Sequence, residues 1–311
     1  MGDRQLDKNP IQVSGLVKNF GTTKALDGLD LEVRTGEVHG FLGPNGSGKS
    51  TTIRVLLGLI RRDGGSVSVL GGDPWSDAVW LHRNLAYVPD EVNLWPNLSG
   101  GEAIDLLGRL RGGIDYGRRQ ELIEEFQFDP TKKFRTYSKG NRQKAAVIAA
   151  LASEVDLYIM DEPTGGLDPL MESVFQQHII KLKEAGKTVL FSSHVLAEVE
   201  KICDRVTIIR EGRTVESGAL DELRHLDRMS VRAELKRPSN SLADLDGIHS
   251  VETDGQWVEF EVDADKLEVA LEHLLQFGVK NLISNPPTLG DLFMRHYEEA
   301  SSNDTEEVKN G

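Results

Sequence analysis

Cysteine is almost absent from this chain: Cys203 is the only one in 311 residues. No intrachain disulfide can form, which suits a reducing compartment. With the histidines scattered and no second cysteine, no structural zinc site is legible. Cys203 reads most simply as a buried small hydrophobe. Long apolar runs are missing too, since none approaches the roughly 18 residues of a membrane span. The N-terminal stretch Met1-Gly2-Asp3-Arg4-Gln5-Leu6-Asp7-Lys8 lacks the apolar segment of a secretory signal, so the chain is expected on the cytoplasmic side. Basic residues are the minority, 36 Lys and Arg against 50 Asp and Glu, for a net charge of -14. That balance argues against a nucleic-acid scaffold or a polybasic lipid binder, and no nucleic-acid partner is expected. What remains, 39% hydrophobic and 28% charged residues, is an ordinary globular composition. The length allows one large core domain and a smaller one.

The strongest positive signal is Gly43-Pro44-Asn45-Gly46-Ser47-Gly48-Lys49-Ser50, followed by Thr51. It matches G-x-x-x-x-G-K-[ST]. Its glycines let the backbone curl until consecutive N–H groups face phosphate oxygens. Lys49 can reach the β- and γ-phosphates, and the Ser50 hydroxyl can ligate Mg²⁺. Glu37 to Leu42 reads as a short strand before the loop. Thr51 to Leu57 opens a helix whose N-terminal dipole favours anions. A bound nucleoside triphosphate is expected.

Residues 11–42 alternate like strands, with a turn near Phe20-Gly21-Thr22-Thr23, and helical and strand-like segments then alternate to about residue 220. Asp156 to Met160 and Thr188 to Ser192 are short apolar runs after helical segments, the pattern of buried parallel strands with crossover helices. A more helical insert, roughly 97–152, precedes the first of them. Val206 to Ile209 and Thr214 to Glu216 flank the hairpin signal Glu211-Gly212-Arg213. Near residue 228 the composition changes. Strand-like Ser230 to Leu235, Val258 to Val262 and Val279 to Ile283 surround an amphipathic helix, Leu267 to Leu275. A last helix would carry Leu289, Leu292, Phe293 and Tyr297, and residues 300–311 read as a polar, disordered tail.

Further motifs narrow the class. Asp161 and Glu162 end an apolar strand 112 residues after Lys49. Asp161 is placed to hold the Mg²⁺ shell, and Glu162 to polarise an attacking water. Gly166-Leu167-Asp168-Pro169 follows. His194 sits at the end of the next strand, where α/β sheets bind ligands, and could hydrogen-bond a γ-phosphate. Tyr137-Ser138-Lys139-Gly140-Asn141-Arg142-Gln143-Lys144 leads into the helical run Ala145 to Leu151, with Ser138 as N-cap. This second phosphate-binding device is economically explained if it serves a nucleotide held by another copy of the protein.

Together these motifs resemble the nucleotide-binding subunit of an ATP-binding cassette (ABC) transporter, over about residues 10–225 and in the family's order. The resemblance implies an α/β phosphate-loop cassette, a parallel-sheet core with antiparallel β and α-helical subdomains, plus a small C-terminal α+β domain at 228–299. It implies ATP and Mg²⁺ as cofactors and an ATP-sandwich dimer with a second copy. It makes Gly43 to Thr51 the Walker A loop, Asp161 the end of Walker B, Glu162 the catalytic carboxylate, Asp168 part of the D-loop and His194 the switch histidine. Phe20, 23 residues before Gly43, matches the aromatic position that stacks on adenine.

Two departures stand out. The family's signature is usually Leu-Ser-Gly-Gly-Gln, and Leu98-Ser99-Gly100-Gly101-Glu102 matches it literally. It lies 62 residues before Asp161, whereas Ser138 lies 23 before it, where the family places its signature serine. Ser99 and Glu102 read instead as a capping box. Tyr137-Ser138-Lys139-Gly140-Asn141 is then the working signature. Its Lys139 either adds a cation near the partner's phosphates or points to solvent. In Tyr87-Val88-Pro89-Asp90 an aspartate stands where the family has glutamine; Asp90 can still ligate the metal, and Glu91 is its alternative. After it, Leu94, Trp95 and Pro96 form an apolar, turn-prone surface, which the resemblance places beside the groove for a cytoplasmic helix of the membrane subunit.

The C-terminal region, ending Pro287-Thr288-Leu289-Gly290-Asp291-Leu292-Phe293, resembles that of ATPases from bacterial exporters with separate permease subunits. The reading is therefore ATP-driven efflux of an antibiotic, drug or lipid-like compound, at the cytoplasmic face of the cell membrane. The alternative is a soluble ABC ATPase of translation or DNA repair. Against it, only one cassette is present, and only 89 residues separate Lys49 from Ser138, too few for long coiled coils.

Overall fold

The computed structural model describes residues 9–225, 228–239, 241–285 and Gly290. The expected last helix and polar tail lie outside the described residues. The chain divides into two compact units, 1–218 and 219–311.

The first unit opens with β1 (Ile11–Phe20), β2 (Thr23–Val33) and β3 (Val38–Leu42), then α1 (Lys49–Leu56), β4 (Gly64–Val69), α2 (Ala78–Asn84) and β5 (Leu85–Val88). The helical insert follows as α3 (Gly100–Arg111), α4 (Tyr116–Glu125) and α5 (Lys139–Leu151). The chain returns through β6 (Leu157–Asp161), α6 (Pro169–Glu184), β7 (Thr188–Ser193) and α7 (Leu196–Ile202), and closes with β8 (Arg205–Arg210) and β9 (Arg213–Ala219). A six-stranded sheet in the order β5-β6-β7-β3-β8-β9 is parallel from β5 to β8. Its central strands β3, β6 and β7 are buried at every residue, as expected of parallel strands covered on both faces.

Burial forces polar groups in these strands to find partners. His39, fully buried, holds Glu37 at 2.8 Å through Nδ1 and Thr207 at 2.8 Å through Nε2. An antiparallel sheet, β2-β1-β4, packs Leu26, Leu29 and Leu31 into one core with Ile53 and Leu56 of α1. That core fixes where α1 starts. Cys203 departs from expectation: the residue is only partly buried, although desolvation pushes its thiol pKa up.

The second unit runs α8 (Leu220–His225), β10 (Met229–Leu235), a 3-10 turn (Leu242–Asp244), β11 (Ile248–Asp254), β12 (Trp257–Val262), α9 (Leu267–Phe277) and β13 (Val279–Asn285). Its strands pair antiparallel in the order β11-β12-β10-β13. That is a split β-α-β arrangement whose first helix is reduced to the 3-10 turn. Strict alternation in β10 and β12 buries Val231, Ala233, Leu235, Val258, Phe260 and Val262, against Ala270 and Leu274 of α9.

Candidate functional site

The loop between β3 and α1 has the backbone its glycines predict. Gly46 (φ 83°) and Gly48 (φ 112°) are left-handed, and a methyl group on Gly43 would stand 2.5 Å from the Ile209 carbonyl oxygen. Asn45 and Gly46 are exposed, while Ser47 and Lys49 are buried. Lys49 Nζ donates to the Gly43 carbonyl at 2.6 Å and to that of Pro44 at 3.2 Å. Burial lowers the Lys49 pKa, against the opposing pull of Glu162, Asp161 and Asp90. Ser47 Oγ is buried without a hydrogen-bond partner.

The acids meet the loop from the C-terminal ends of β6 and β7. Asp161, 3% exposed, accepts from Ser192 Oγ at 2.6 Å. Desolvation raises its pKa, while hydrogen bonds from Ser192 and Ser50 pull it down. Glu162 takes a left-handed conformation (φ 48°), costly for a residue with a Cβ and held here by its N–H donating to the Ser192 carbonyl at 3.2 Å. The turn sends its carboxylate between the His194 imidazole and the Lys49 ammonium. Oε2 lies 2.7 Å from His194 Nδ1, and Oε1 3.8 Å from Lys49 Nζ. Asp90 is half-buried and near enough to bias both Lys49 and Asp161, whereas Glu91 is exposed and biases neither. Gln143 of α5 donates to the Pro89 carbonyl at 3.3 Å, tying that helix to the Asp90 segment.

The loop residues 43–51, Asp90, Asp161, Glu162 and His194 are thus brought together. Among the described residues no hydrogen bond joins Phe20, Ser138 or Gly140 to the loop. Phe20 ends β1 half exposed, with Lys18 Nζ 5.5 Å from its ring centre. Ser138, exposed, caps α5 by accepting from the Asn141 N–H at 3.3 Å. Gly140 lies so close to Gly166 that a methyl group on it would stand 2.3 Å from the Gly166 carbonyl oxygen. Asp168 caps α6, accepting from the Met171 N–H at 3.1 Å. Ser192 and Gly165 escaped the sequence reading as site residues, and Gly166 entered it only as the start of Gly166-Leu167-Asp168-Pro169. The serines just before His194 were the available signal for Ser192.

A separate groove of about 210 Å³ is lined by Leu57, Leu59, His82, Leu85, Tyr87 and Leu107, with Leu110 and Arg111 at its edge. Leu59 and Leu110 are more than half exposed. Leu94, Trp95 and Pro96 do not line it, although Trp95 is 45% exposed.

Comparison with known proteins places this geometry. The family model described as ABC transporter matches residues 26–165. The daunorubicin/doxorubicin resistance ATP-binding protein DrrA of Streptomyces peucetius is 38% identical over 69% of this chain and 66% of its own length. The daunorubicin resistance ATP-binding protein DrrA3 of Streptomyces coeruleorubidus is 33% identical over 91% of this chain and 94% of its own. Among solved structures, an ATP-binding subunit of an ABC transporter superposes with a TM-score of 0.65 at 30% identity, over 70% of this chain and 92% of that one.

Proposed function

Because this chain belongs to the ABC transporter ATP-binding family, we propose that it is the ATP-hydrolysing subunit of an exporter, powering efflux of an antibiotic, drug or lipid-like compound. The convergence on Glu162 carries the hydrolytic part of the reading. Its carboxylate is turned out of the β6 strand at a conformational cost and anchored by His194 at 2.7 Å. There it can accept a proton from a water attacking the γ-phosphate, with His194 holding the base in place. Lys49 and the backbone N–H groups of residues 45–51 bind and orient the phosphates, and Phe20 offers its ring to the adenine.

Ser50, Asp90 and Asp161 would hold Mg²⁺, which would neutralise charge on the phosphate oxygens. The donor set fits. One hydroxyl and two carboxylates are hard ligands, too few for an all-protein cage and suited to an ion shared with substrate phosphates. Among the described residues no group of three His, Cys, Asp or Glu side chains is placed to hold a metal ion.

Ser138, Gly140 and Asp168 are assigned to a nucleotide held by a second copy of the chain. Ser138 is exposed at the start of a helix that makes no bond to its own phosphate loop among the described residues, which supports a contact across a dimer. No described helix is long and apolar enough to cross a membrane. The Leu59–Leu110 groove suits an apolar cytoplasmic helix of a separate permease at the inner face of the membrane. The drug-resistance names of the two relatives support efflux as the direction of work.

The test is Glu162→Gln against Lys49→Ala. Glu162→Gln should keep ATP binding, slow hydrolysis by about 10²–10⁴-fold and trap an ATP-bound dimer; Lys49→Ala should weaken nucleotide binding itself. Near-normal turnover in Glu162→Gln removes Glu162 from the mechanism. Copurification with a polytopic membrane protein tests the transporter assignment separately.

A further inference from the structure

Asp90 and Lys139, two of the positions where this chain departs from its family's motifs, flank the same glycine turn. Lys139 opens α5 and is exposed, yet its side chain runs beside another segment of the protein. Its stem lies along the Gly165-Gly166 turn: a methyl group on Gly166 would be 3.4 Å from Lys139 Cγ and 3.6 Å from Cδ. A methyl group on Gly165 would stand 3.9 Å from Lys139 Nζ and 3.9 Å from Asp90 Oδ1. The ammonium and the carboxylate therefore lie within twice that distance of each other. Among the described residues no direct ion pair closes between them. The separation still falls inside the Debye length of about 10 Å at 0.1 M salt. Two bonds keep this register. Gln143 holds the Pro89 carbonyl from the same helix, and the Gly165 N–H donates to the Glu162 carbonyl at 3.1 Å. A side chain on either glycine would meet the Lys139 side chain.

We propose that Lys139 is a positioning residue for the divalent ion, acting through Asp90. This rests on the reading of Asp90 as a metal ligand. Two ammonium groups act on Asp90: Lys49, whose own pKa Asp90 influences, and Lys139 from across the glycine turn. A divalent ion held by Asp90 would repel the Lys139 ammonium, and occupancy of the metal site would thereby be coupled to the first turn of α5. That turn carries Ser138 and Gly140, the groups assigned to the partner's nucleotide. The Lys139 ammonium keeps the ion's affinity below what the carboxylates alone would give. Asp161 and Glu162 also face this region. Asp161 is bonded to Ser192, and Glu162 to His194 and Lys49, whereas Asp90 shares the Gly165 turn with Lys139.

The probe is Mn²⁺ with ADP on the full chain, read by the paramagnetic resonance signal of the free ion. Lys139→Gln should tighten Mn²⁺ binding about threefold at low salt, the size expected of one screened charge at this range. The gain should shrink at 0.5 M salt. Lys139→Arg, which keeps the charge, should bind Mn²⁺ like the wild type. In an Asp90→Asn background, Lys139→Gln should have no effect. ADP affinity in EDTA, unchanged across the set, checks that each variant is folded. No tightening in Lys139→Gln, or equal tightening with and without Asp90, overturns the proposal. If Asp90→Asn alone binds Mn²⁺ like the wild type, it is the metal assignment of Asp90 that fails.

Discussion

Helices α3 and α5 begin with related sequences, Ser99-Gly100-Gly101-Glu102 and Ser138-Lys139-Gly140-Asn141, and each serine caps its helix. Their surroundings differ. At α3 the capping box is reciprocal: Ser99 Oγ accepts from the Glu102 N–H at 3.2 Å, and the Glu102 carboxylate accepts from the Ser99 N–H at 2.6 Å. The next two N–H groups are used as well, by the carbonyls of Lys132 and Pro130. Both glycines are buried, and a methyl group on Gly100 would stand 2.3 Å from the Tyr137 hydroxyl. Every donor at that terminus is spent inside the protein. At α5 the serine is exposed, no acidic side chain returns the bond, and the Lys139 and Gly140 N–H groups meet no acceptor among the described residues. A helix start with unsatisfied donors and its positive dipole end outward suits an anion. The literal motif match is therefore architecture, and the degenerate one is the proposed phosphate contact.

The comparison breaks most visibly at Ser138. Ser138→Arg sets bulk and charge where the partner's nucleotide is proposed to sit, and should cost on the order of 10²-fold or more in ATP turnover. The urea midpoint should move little, because the side chain projects from an exposed cap. Next in size is Gly100→Ala. The added methyl is driven against Tyr137 and Phe128, so about 1–3 kcal/mol of stability should be lost, as in other overpacked cores. Turnover per folded molecule should hold. Ser99→Ala should be milder, about 1 kcal/mol for a lost cap. If Ser99→Ala abolishes turnover in a folded protein while Ser138→Arg does not, the two helix starts have exchanged roles.

The proposed assignment of Ser138 over Ser99 was readable from the sequence, through distance along the chain to Asp161. So were Gly43 to Thr51, Asp161, Glu162 and His194, because phosphate binding dictates residue types at fixed spacing next to strand ends. Strand β11 was not. Its alternation is interrupted by a register shift between His249 and Glu252, where Ser250 is left-handed (φ 49°), so no period of two survives to be read. The partnership of Ser192 with Asp161, and of Lys139 with Gly165 and Gly166, join residues 31 and more than 25 positions apart. Local pattern carries no such information. The groove at Leu59 and Leu110 was missed for a related reason: its walls come from the turn after α1, from α2, β5 and α3, each unremarkable alone.

The smallest effect concerns how the helical insert that holds both helix starts is tied to α6, the helix that Asp168 caps. His178 of α6, 1% exposed, accepts from Arg118 of α4 at 2.9 Å through Nδ1 and donates to Glu125 at 2.5 Å through Nε2. A hydrogen bond from a guanidinium requires a lone pair on Nδ1, so the imidazole is neutral with its proton on Nε2. Burial, helped by the charges of Arg118 and Lys181, holds the His178 pKa below the ordinary 6.5 despite Glu125. The unfolded chain therefore binds a proton more readily than the folded one. The contribution is fully present above pH 6.5 and is lost as the pH falls from there through the depressed folded value. Wild-type protein should lose stability over that acid window more steeply than His178→Asn, while the two run parallel between pH 7 and 8. The measurement is the urea midpoint against pH. Parallel curves over the whole range would mean that His178 titrates alike in both states, and that the tie between α4 and α6 rests on packing with Phe126 instead.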